Sequence, residues 1–144
     1  MFWKIDKIIR YKNRIYLLDK SQTRSVIIYD TLGNFVNKIE KQGQGPNEYI
    51  QLFDIFINPD DETLNLVSRF DRKILKHDLD GNIVKVEKMP IMFSMLSKIK
   101  NGYVGYMANN LWDKNKPYNI RSYELFCSFA SFAAKLCDEI REIR

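Results

Sequence analysis

Residue types that often carry out chemistry are scarce in this sequence of 144 residues. There is one histidine, His77, and there are two cysteines, Cys127 and Cys137. A zinc site needs several histidine or cysteine ligands, and a hydrolase of the Gly-x-Ser-x-Gly type needs an elbow motif that the chain lacks. The two cysteines are too far apart for a disulfide within one helix. The scarcity argues against zinc enzymes and Ser-His-Asp hydrolases, and it leaves the cellular compartment open.

Long apolar runs and runs of basic residues are missing as well. Residues 1–6 contain no apolar stretch of the kind found in signal peptides, and the longest apolar-rich run, 125–134, is too short to span a bilayer. The formal net charge of +5 arises in residues 1–117, where basic and acidic residues are interspersed. A dispersed excess of this size is typical of a solvated surface. We therefore expect no membrane span and no nucleic-acid partner.

The sequence does contain a series of short runs rich in β-branched and aromatic residues, separated by turn residues. Hydrophobic residues make up 45% of the chain and aromatic residues 13%, which is typical of a globular domain, and the length favours a single one. The runs predict an antiparallel meander rather than a β-α-β unit. The predicted strands lie near residues 5–11, 14–19, 25–30, 35–39, 54–58, 63–68, 73–78 and 83–88.

These strands fall into two copies of one pattern. A shift of 48 positions without a gap places Asp6 on Asp54, and it places the Asp-x-x-Gly-Asn turn of residues 30–34 on that of residues 78–82. A four-stranded unit that repeats at this period indicates the blade of a β-propeller. We therefore predict blades near residues 5–40 and 54–88 and a partial third blade at 91–110, whose first strand lies at 92–96.

Beyond Pro117 the periodicity changes. Apolar residues from Leu125 to Ile143 recur at steps of three and four, which predicts one face of an α-helix, and Ser122 is a suitable N-cap. The predicted fold class is all-β, a partial β-propeller of about two and a half four-stranded antiparallel blades with a C-terminal α-helix. Residues 1–117 then form an incomplete propeller, and residues 118–144 form a helical tail that need not be native to the fold.

The segment between the two copies, Gly43-Gln44-Gly45-Pro46-Asn47-Glu48-Tyr49, contains a Gly-x-Gly-Pro-x-Glu-aromatic pattern. Together with residues 15–19 and 28–34 it resembles the bacterial six-bladed β-propeller proteins related to NHL-repeat proteins, over roughly residues 4–117. The resemblance implies a propeller fold and a protein of the cell envelope or periplasm. It also implies a scaffold that binds a ligand or a partner and has, in most members, no assigned chemistry.

Three features of the chain depart from that family pattern. The chain begins at the first blade without an export signal, it holds too few blades for a ring of six, and its tail from Tyr118 does not resemble propeller sequence. A truncated or frameshifted reading frame would produce all three, and this interpretation is the one we favour. An incomplete ring leaves apolar blade faces open. We therefore expect self-association through these faces, or low solubility.

Residues 43–49 are the first candidate site. A P-loop needs a lysine and a serine or threonine after its last glycine, but Pro46 and Asn47 follow here, so we interpret the segment as a crossing between blades. Glu48 either faces a ligand or caps the loop by accepting backbone N–H groups. Glu48 and Tyr49 are retained as weak ligand-binding candidates.

Asp6 and Asp54 are the second candidate site, because each begins a predicted innermost strand. Equivalent acids on successive blades either surround a cation such as calcium or stabilise the entry to each strand. We assign no catalytic residue, no metal ligand set and no cofactor beyond this calcium hypothesis. The predicted function is a non-catalytic scaffold for an unknown protein or carbohydrate. The alternative is a metal-dependent hydrolase or lyase, similar to propeller lactonases, that uses the channel-facing acids.

Overall fold

The computed structural model describes residues 4–89, 92–99, 102–106 and 120–123, the last range as backbone. In these ranges the chain forms eleven β-strands and no helix, which confirms the predicted all-β class. The strands are β1 (Lys7–Tyr11), β2 (Arg14–Asp19), β3 (Ser25–Asp30), β4 (Phe35–Ile39), β5 (Leu52–Asn58), β6 (Thr63–Ser68), β7 (Lys73–His77), β8 (Ile83–Lys88), β9 (Met95–Ile99), β10 (Gly102–Tyr106) and β11 (Ile120–Tyr123). Within the described part, no helix has the length and apolarity to cross a membrane.

The strands form three antiparallel sheets in chain order. The first sheet consists of β1 to β4, the second of β5 to β8, and the third of β9 to β11. Within each of the two four-stranded sheets, every strand pairs with the next one in the chain, so both sheets are simple meanders. The eight strands expected in the first two units are all present, which confirms the four-stranded antiparallel blades.

The turns that end β3 and β7 show why the repeated Asp-x-x-Gly-Asn pattern matters. Gly33 and Gly81 have φ values of 90° and 91°, a left-handed conformation that glycine adopts without a steric penalty. The Asp30 carboxylate accepts hydrogen bonds from the backbone N–H of Leu32 and from the backbone and side chain of Asn34. Hydrogen bonds from Asn34 also hold the pKa of Asp30 below its ordinary value. In the turn 78–82, the backbone and side chain of Asn82 donate the same two hydrogen bonds to the Asp78 carboxylate.

The third sheet departs from the prediction in two places. Its first strand is β9 rather than residues 92–96, and Ile120–Tyr123 forms β11, with Ser122 opposite Val104 of β10. The prediction that Ser122 caps a helix is therefore wrong. These four residues satisfy the unpaired backbone groups at the edge of β10, a long-range pairing that helical periodicity does not reveal. The rest of the predicted helical tail lies outside the described residues, and the boundary between residues 117 and 118 stays a prediction.

Two apolar cores hold the sheets together. We call the face of a sheet that packs on the next sheet its rear and the opposite face its front. The core between the rear of the first sheet and the front of the second contains Tyr16, Leu18, Val26, Ile28, Ile39, Tyr49, Leu52, Ile55, Leu64, Leu66 and Leu75. The core between the second and third sheets contains Phe56, Val67, Ile74, Met89, Phe93, Leu96 and Tyr103.

The turn 78–82 of the second sheet is fastened to the rear of the first sheet. The buried Tyr16 hydroxyl donates to the carbonyl of Leu79 at 2.9 Å, and burial raises the pKa of Tyr16 to about 12. Arg14 Nη2 lies 2.7 Å from Asp80 Oδ1. A Cβ atom on Gly81 would lie 2.9 Å from the Ile28 side chain, so the glycine also permits the close approach of the two sheets.

His77 lies in the front of the second sheet and is 1% exposed. Its Nδ1 is 3.2 Å from the carbonyl of Leu75, which favours the tautomer with the proton on Nδ1. Burial lowers the pKa of His77 to about 4, so the ring stays neutral at physiological pH. The position corresponds to Tyr29 of the first sheet, and its role is packing.

We expect His77 to make the fold sensitive to mild acid. Its pKa rises from about 4 in the folded chain to 6.5 in the unfolded chain, so the unfolded state binds more protons between these values. The free energy of unfolding should fall as the pH is lowered from 6.5 to 4, by about 3 kcal/mol at most. Urea unfolding of the wild type and of His77→Gln at several pH values measures this. A slope in this window that persists in the variant would contradict it.

Candidate functional site

Residues 40–51 connect the first sheet to the second and form a closed loop. The backbone N–H of Gly43 donates to the carbonyl of Tyr49 at 3.0 Å, and that of Tyr49 donates to the carbonyl of Lys41 at 3.1 Å. A single parallel bridge between Gln42 and Tyr49 accompanies these bonds. The segment is therefore a crossing between blades, as the sequence indicated.

Glu48 folds back onto this loop. Its Oε2 accepts a hydrogen bond from the backbone N–H of Gly45 at 2.8 Å. A Cβ atom on Gly43 would lie 2.0 Å from the same oxygen, and one on Gly45 would lie 3.0 Å from it. The two glycines therefore leave the space that the carboxylate occupies. In this structure Glu48 has the loop-capping role that we weighed against a ligand-facing one.

Tyr49 is fully buried in the core between the first two sheets. Its hydroxyl donates to the carbonyl of Arg24 at 2.6 Å and accepts from the backbone N–H of Lys41 at 3.1 Å. Burial raises the pKa of Tyr49 to about 12. These contacts fasten the loop to the ends of β3 and β4 and leave the ring inside the protein, so they give it a structural role.

The loop is also tied to the second sheet through Lys73. The Lys73 ammonium donates to the carbonyls of Gly45 and Glu48 at 3.0 and 3.3 Å, and it lies 3.2 Å from Asp71 Oδ2. The side chain is 17% exposed. Residues 43–49 and the connection 69–72 are therefore neighbours at one end of the sheets.

The register corrects the predicted equivalence of Asp6 and Asp54. Lys7 pairs with Leu18, and Asp54 pairs with Val67. Leu18 and Val67 both lie on the rear of their sheets, so Asp54 occupies the position of Lys7 rather than that of Asp6. The cause is turn length, because residues 12–13 connect β1 to β2 whereas residues 59–62 connect β5 to β6.

The two acids consequently have different partners. Asp54 is 3% exposed, and its Oδ1 lies 2.7 Å from the Lys7 ammonium. Its Oδ2 accepts a hydrogen bond from the backbone N–H of Leu96 at 3.1 Å. The carboxylate thus contacts the first and the third sheet as well as its own. Asp6 instead accepts from the backbone N–H of Lys20 at 2.8 Å, within the first sheet.

The third sheet does not continue a series of acids. Met95 pairs with Tyr106 on the rear of this sheet and so holds the position of Lys7 and Asp54. The three innermost strands therefore present a lysine, an aspartate and a methionine at equivalent positions. Nowhere in the described ranges do three or more His, Cys, Asp or Glu side chains form a group that could hold a metal ion.

A cluster that the sequence reasoning missed lies at the same end as the loop. Phe53 is the bulged residue between Leu52 and Asp54, and its ring meets that of Phe70 edge to face at 5.6 Å. The guanidinium carbon of Arg69 lies 5.1 Å from the centre of the Phe53 ring. Phe70 is 54% exposed. We call Phe53, Arg69 and Phe70 the Phe70 patch.

The sequence carried one signal for this patch. In the 48-residue repeat, Arg69 and Phe70 correspond to Ser21 and Gln22. An arginine and a phenylalanine that replace small or polar loop residues in one copy are not required by the shared fold. Two further exposed apolar residues, Ile50 and Met92, lie in connections that leave the same end of the sheets.

The chemistry of the patch follows from one unpartnered group. Nε of Arg69 is buried and has no hydrogen-bond partner among the residues that the structure describes. A charged donor without an acceptor is costly, by about 1–3 kcal/mol or more. An exposed aromatic ring beside such a donor offers a ligand both stacking area and a hydrogen bond.

We expect Gly43→Ala and Glu48→Ala to destabilise the fold by similar amounts, about 1–2 kcal/mol each. Both remove the hydrogen bond from the Gly45 N–H to the Glu48 carboxylate, because a Cβ atom at residue 43 would occupy the position of the Glu48 oxygen. The double variant should cost little more than either single one. Thermal unfolding of the three variants measures this, with the exposed Gln44→Ala as control. Fully additive losses would show that Gly43 and Glu48 act independently.

We expect Asp54→Ala to be much more destabilising than Lys7→Ala. Removing the buried carboxylate leaves the Leu96 N–H without its acceptor and should cost about 3–5 kcal/mol. The Lys7 side chain is 37% exposed, so its loss should cost about 1 kcal/mol. Chemical denaturation gives both values. Equal losses would mean that the ion pair, rather than the bond to the third sheet, dominates.

Comparison with known proteins agrees with this geometry. The sequence model of the DUF5128 family, described as a 6-bladed β-propeller, matches residues 1–134 and so extends past residue 117. Among solved structures, that of a "putative exported protein" from Bacteroides fragilis is similar, with a TM-score of 0.71 at 19% sequence identity. The likeness covers 82% of this chain and 34% of that protein's chain, and at this identity it shows the fold alone.

No curated protein matches this chain. The resemblance to six-bladed propellers is confirmed, while the relation to NHL-repeat proteins stays a prediction. A family match over most of the chain and two stacked four-stranded meanders lead to the same conclusion. The chain belongs to the 6-bladed β-propeller family.

Proposed function

We propose that this chain is a non-catalytic binding scaffold and that its contact surface is the Phe70 patch. The observation that carries the proposal is the buried Arg69 Nε, which has no hydrogen-bond partner in the described part of the chain and lies beside the exposed ring of Phe70. A ligand that supplies an acceptor to Arg69 would relieve the cost of this group. The rest of the ligand would cover the ring of Phe70.

The β-strands of the second sheet hold the Phe70 patch in place, which favours binding. Phe53 is part of β5, and Arg69 and Phe70 follow directly after β6, so the strands of the second sheet position all three residues. Lys73 ties the neighbouring loop to the same sheet through two backbone carbonyls. A patch held by strands needs little ordering when a ligand binds, which favours affinity.

The patch would bind a ligand in which a hydrogen-bond acceptor lies next to an apolar group or a ring. Two kinds of ligand have this combination: an acidic glycan, and a protein segment with acidic and aromatic side chains. Arginine and aromatic residues are enriched among the side chains that dominate binding interfaces. An extracytoplasmic location is part of the proposal, because the similar protein from Bacteroides fragilis is described as exported.

The test uses variants taken from the chain itself. Arg69→Ser and Phe70→Gln place the residues of the first copy, Ser21 and Gln22, at the patch. Val84→Gln, at a residue that is 61% exposed and outside the patch, is the matched control. Glycan arrays with neutral and acidic sugars and peptide arrays with acidic peptides distinguish the two sources. We expect binding on one array that weakens about tenfold or more in both patch variants.

Three outcomes would count against this proposal. Binding that both patch variants retain would place the contact surface elsewhere, and no binding on either array would remove its support. Calorimetric titration with calcium chloride covers the metal-dependent alternative. Tight stoichiometric calcium binding that is lost in Asp54→Ala would favour that alternative, although the Asp54 carboxylate already bonds to Lys7 and Leu96.

A further inference from the structure

We propose that the Phe70 patch binds an N-acylated amino sugar, whose amide group pairs with two unpartnered atoms of the turn 69–72. The inference rests on the proposed function for the location of the site, and it adds the class of ligand. The turn lies at the ends of the strands, whereas propeller blades pack on one another through their faces. Further sheets beside those described would therefore leave the site accessible.

The turn 69–72 contains two buried polar atoms that lack a hydrogen-bond partner among the described residues. One is the donor Nε of Arg69, and the other is the acceptor Oδ2 of Asp71. The second oxygen of Asp71 accepts a hydrogen bond from the Ser68 hydroxyl. Oδ2 lies 3.2 Å from the Lys73 ammonium, but this contact is not aligned as a hydrogen bond. A donor and an acceptor in one turn thus stay unsatisfied, which is unfavourable for each of them.

The corresponding connection of the first sheet shows that the fold does not require such atoms. Asp19 ends β2, as Ser68 ends β6. Both oxygens of Asp19 accept hydrogen bonds from the residues that follow, namely Ser21, Gln22 and Thr23. In the second copy the carboxylate lies within the turn, and only one of its oxygens has a hydrogen-bond partner in the described part of the chain. The unpartnered atoms are therefore a feature of this copy rather than of the blade.

An amide group satisfies both atoms. Its carbonyl oxygen accepts from Arg69 and its N–H donates to Asp71, and each of these bonds involves a charged side chain, which strengthens it. A carboxylate offers no donor, and the negative charge of Asp71 repels it. The carbonyl of an amide therefore replaces the acidic group as the preferred acceptor for Arg69.

Phe70 supplies the apolar part of the site. It lies between Arg69 and Asp71 in the chain, it is 54% exposed, and its ring meets that of Phe53 edge to face at 5.6 Å. Because the two unpartnered atoms are shielded from water, a ligand reaches them only when a side chain of the turn moves. We assign this movement to the exposed Phe70, whose ring then packs on the apolar face of the sugar.

The backbone of the turn favours a sugar over a protein segment. A protein segment has a donor and an acceptor in nearly every residue, and it binds best along the free edge of a strand, where several backbone groups pair at once. In the turn, the carbonyls of Arg69 and Arg72 already accept from the N–H groups of Arg72 and Met89, at 3.2 and 2.7 Å. The unpartnered atoms suit a single amide. An N-acylated sugar unit carries one amide, and its hydroxyl groups can stay in water.

Matched pairs of sugars test the role of the amide. Each pair consists of an N-acetylated hexosamine and the hexose that has a hydroxyl group in place of the acetamido group, in the gluco, galacto and manno series. We expect the wild type to bind the acetylated member of at least one pair about tenfold or more tightly than the hexose. The hydroxyl group can donate to Asp71, but the hexose lacks the carbonyl that accepts from Arg69. This comparison uses the unchanged chain, so it does not depend on how a variant folds.

Variants of the turn test the role of Asp71. Asp71→Asn keeps an oxygen for the bond from Ser68 but replaces the second oxygen by a donor, so it should abolish the preference for the acetylated sugar. Asp60→Asn, whose side chain is 67% exposed at the opposite end of the sheets, is the matched control and should retain the preference. Circular dichroism shows whether each variant keeps its sheets.

The outcomes separate this inference from the proposed function. Equal binding of both members of every pair, or a preference that Asp71→Asn retains, would overturn the inference. The proposed function would still stand if Arg69→Ser and Phe70→Gln weakened the binding of another ligand. Peptides whose binding depends on Asp71 would assign the amide to a protein segment and would also overturn the inference. Failure of every sugar and peptide to bind would remove the support of both.

Discussion

The arrangement of the sheets depends on a buried carboxylate with partners on both sides. Asp54 is part of the second sheet, yet its two oxygens bond to the Lys7 ammonium of the first sheet and to the Leu96 N–H of the third. Burial of a charge is unfavourable unless every oxygen finds a partner. The sheets must therefore meet in one relative position, because a shift of either neighbour would leave this carboxylate unpaired. The apolar cores supply the attraction between sheets, and Asp54 selects the alignment.

Much of the fold could be predicted because its signals are local. Each strand of the first two sheets is a short run of β-branched and aromatic residues, and each ends at residues that favour turns. Glycine and asparagine in the turns 30–34 and 78–82 predicted positive φ values, and the structure has them at Gly33 and Gly81. The loop 43–49 was also interpretable, since Pro46 and Asn47 exclude a phosphate loop.

The errors came from features that involve distant parts of the chain. The gapless repeat equated Asp6 with Asp54. The turn between β5 and β6 is two residues longer than that between β1 and β2, so each strand beside it is displaced by one residue from the 48-residue repeat. A displacement by one residue exchanges the two faces of a strand. Strand β11 depends on the edge of β10, from which it is separated by residues 107–119. The Phe70 patch depends on a bulge at Phe53 that brings its ring to Phe70. Neither the bulge nor the long-range pairing has a local sequence signature.

The short connections within the first two sheets have a consequence for the order of folding. Strands of each of these two sheets are joined by two to five residues, so their pairing loses little loop entropy and can begin while the chain is still being synthesised. The first sheet can then form before residues 52–88 emerge from the ribosome. Its rear, with Leu18 and Val26, faces water until the second sheet arrives. During that interval the nascent chain is most exposed to misassembly, and the rate at which the second meander forms decides how long the interval lasts.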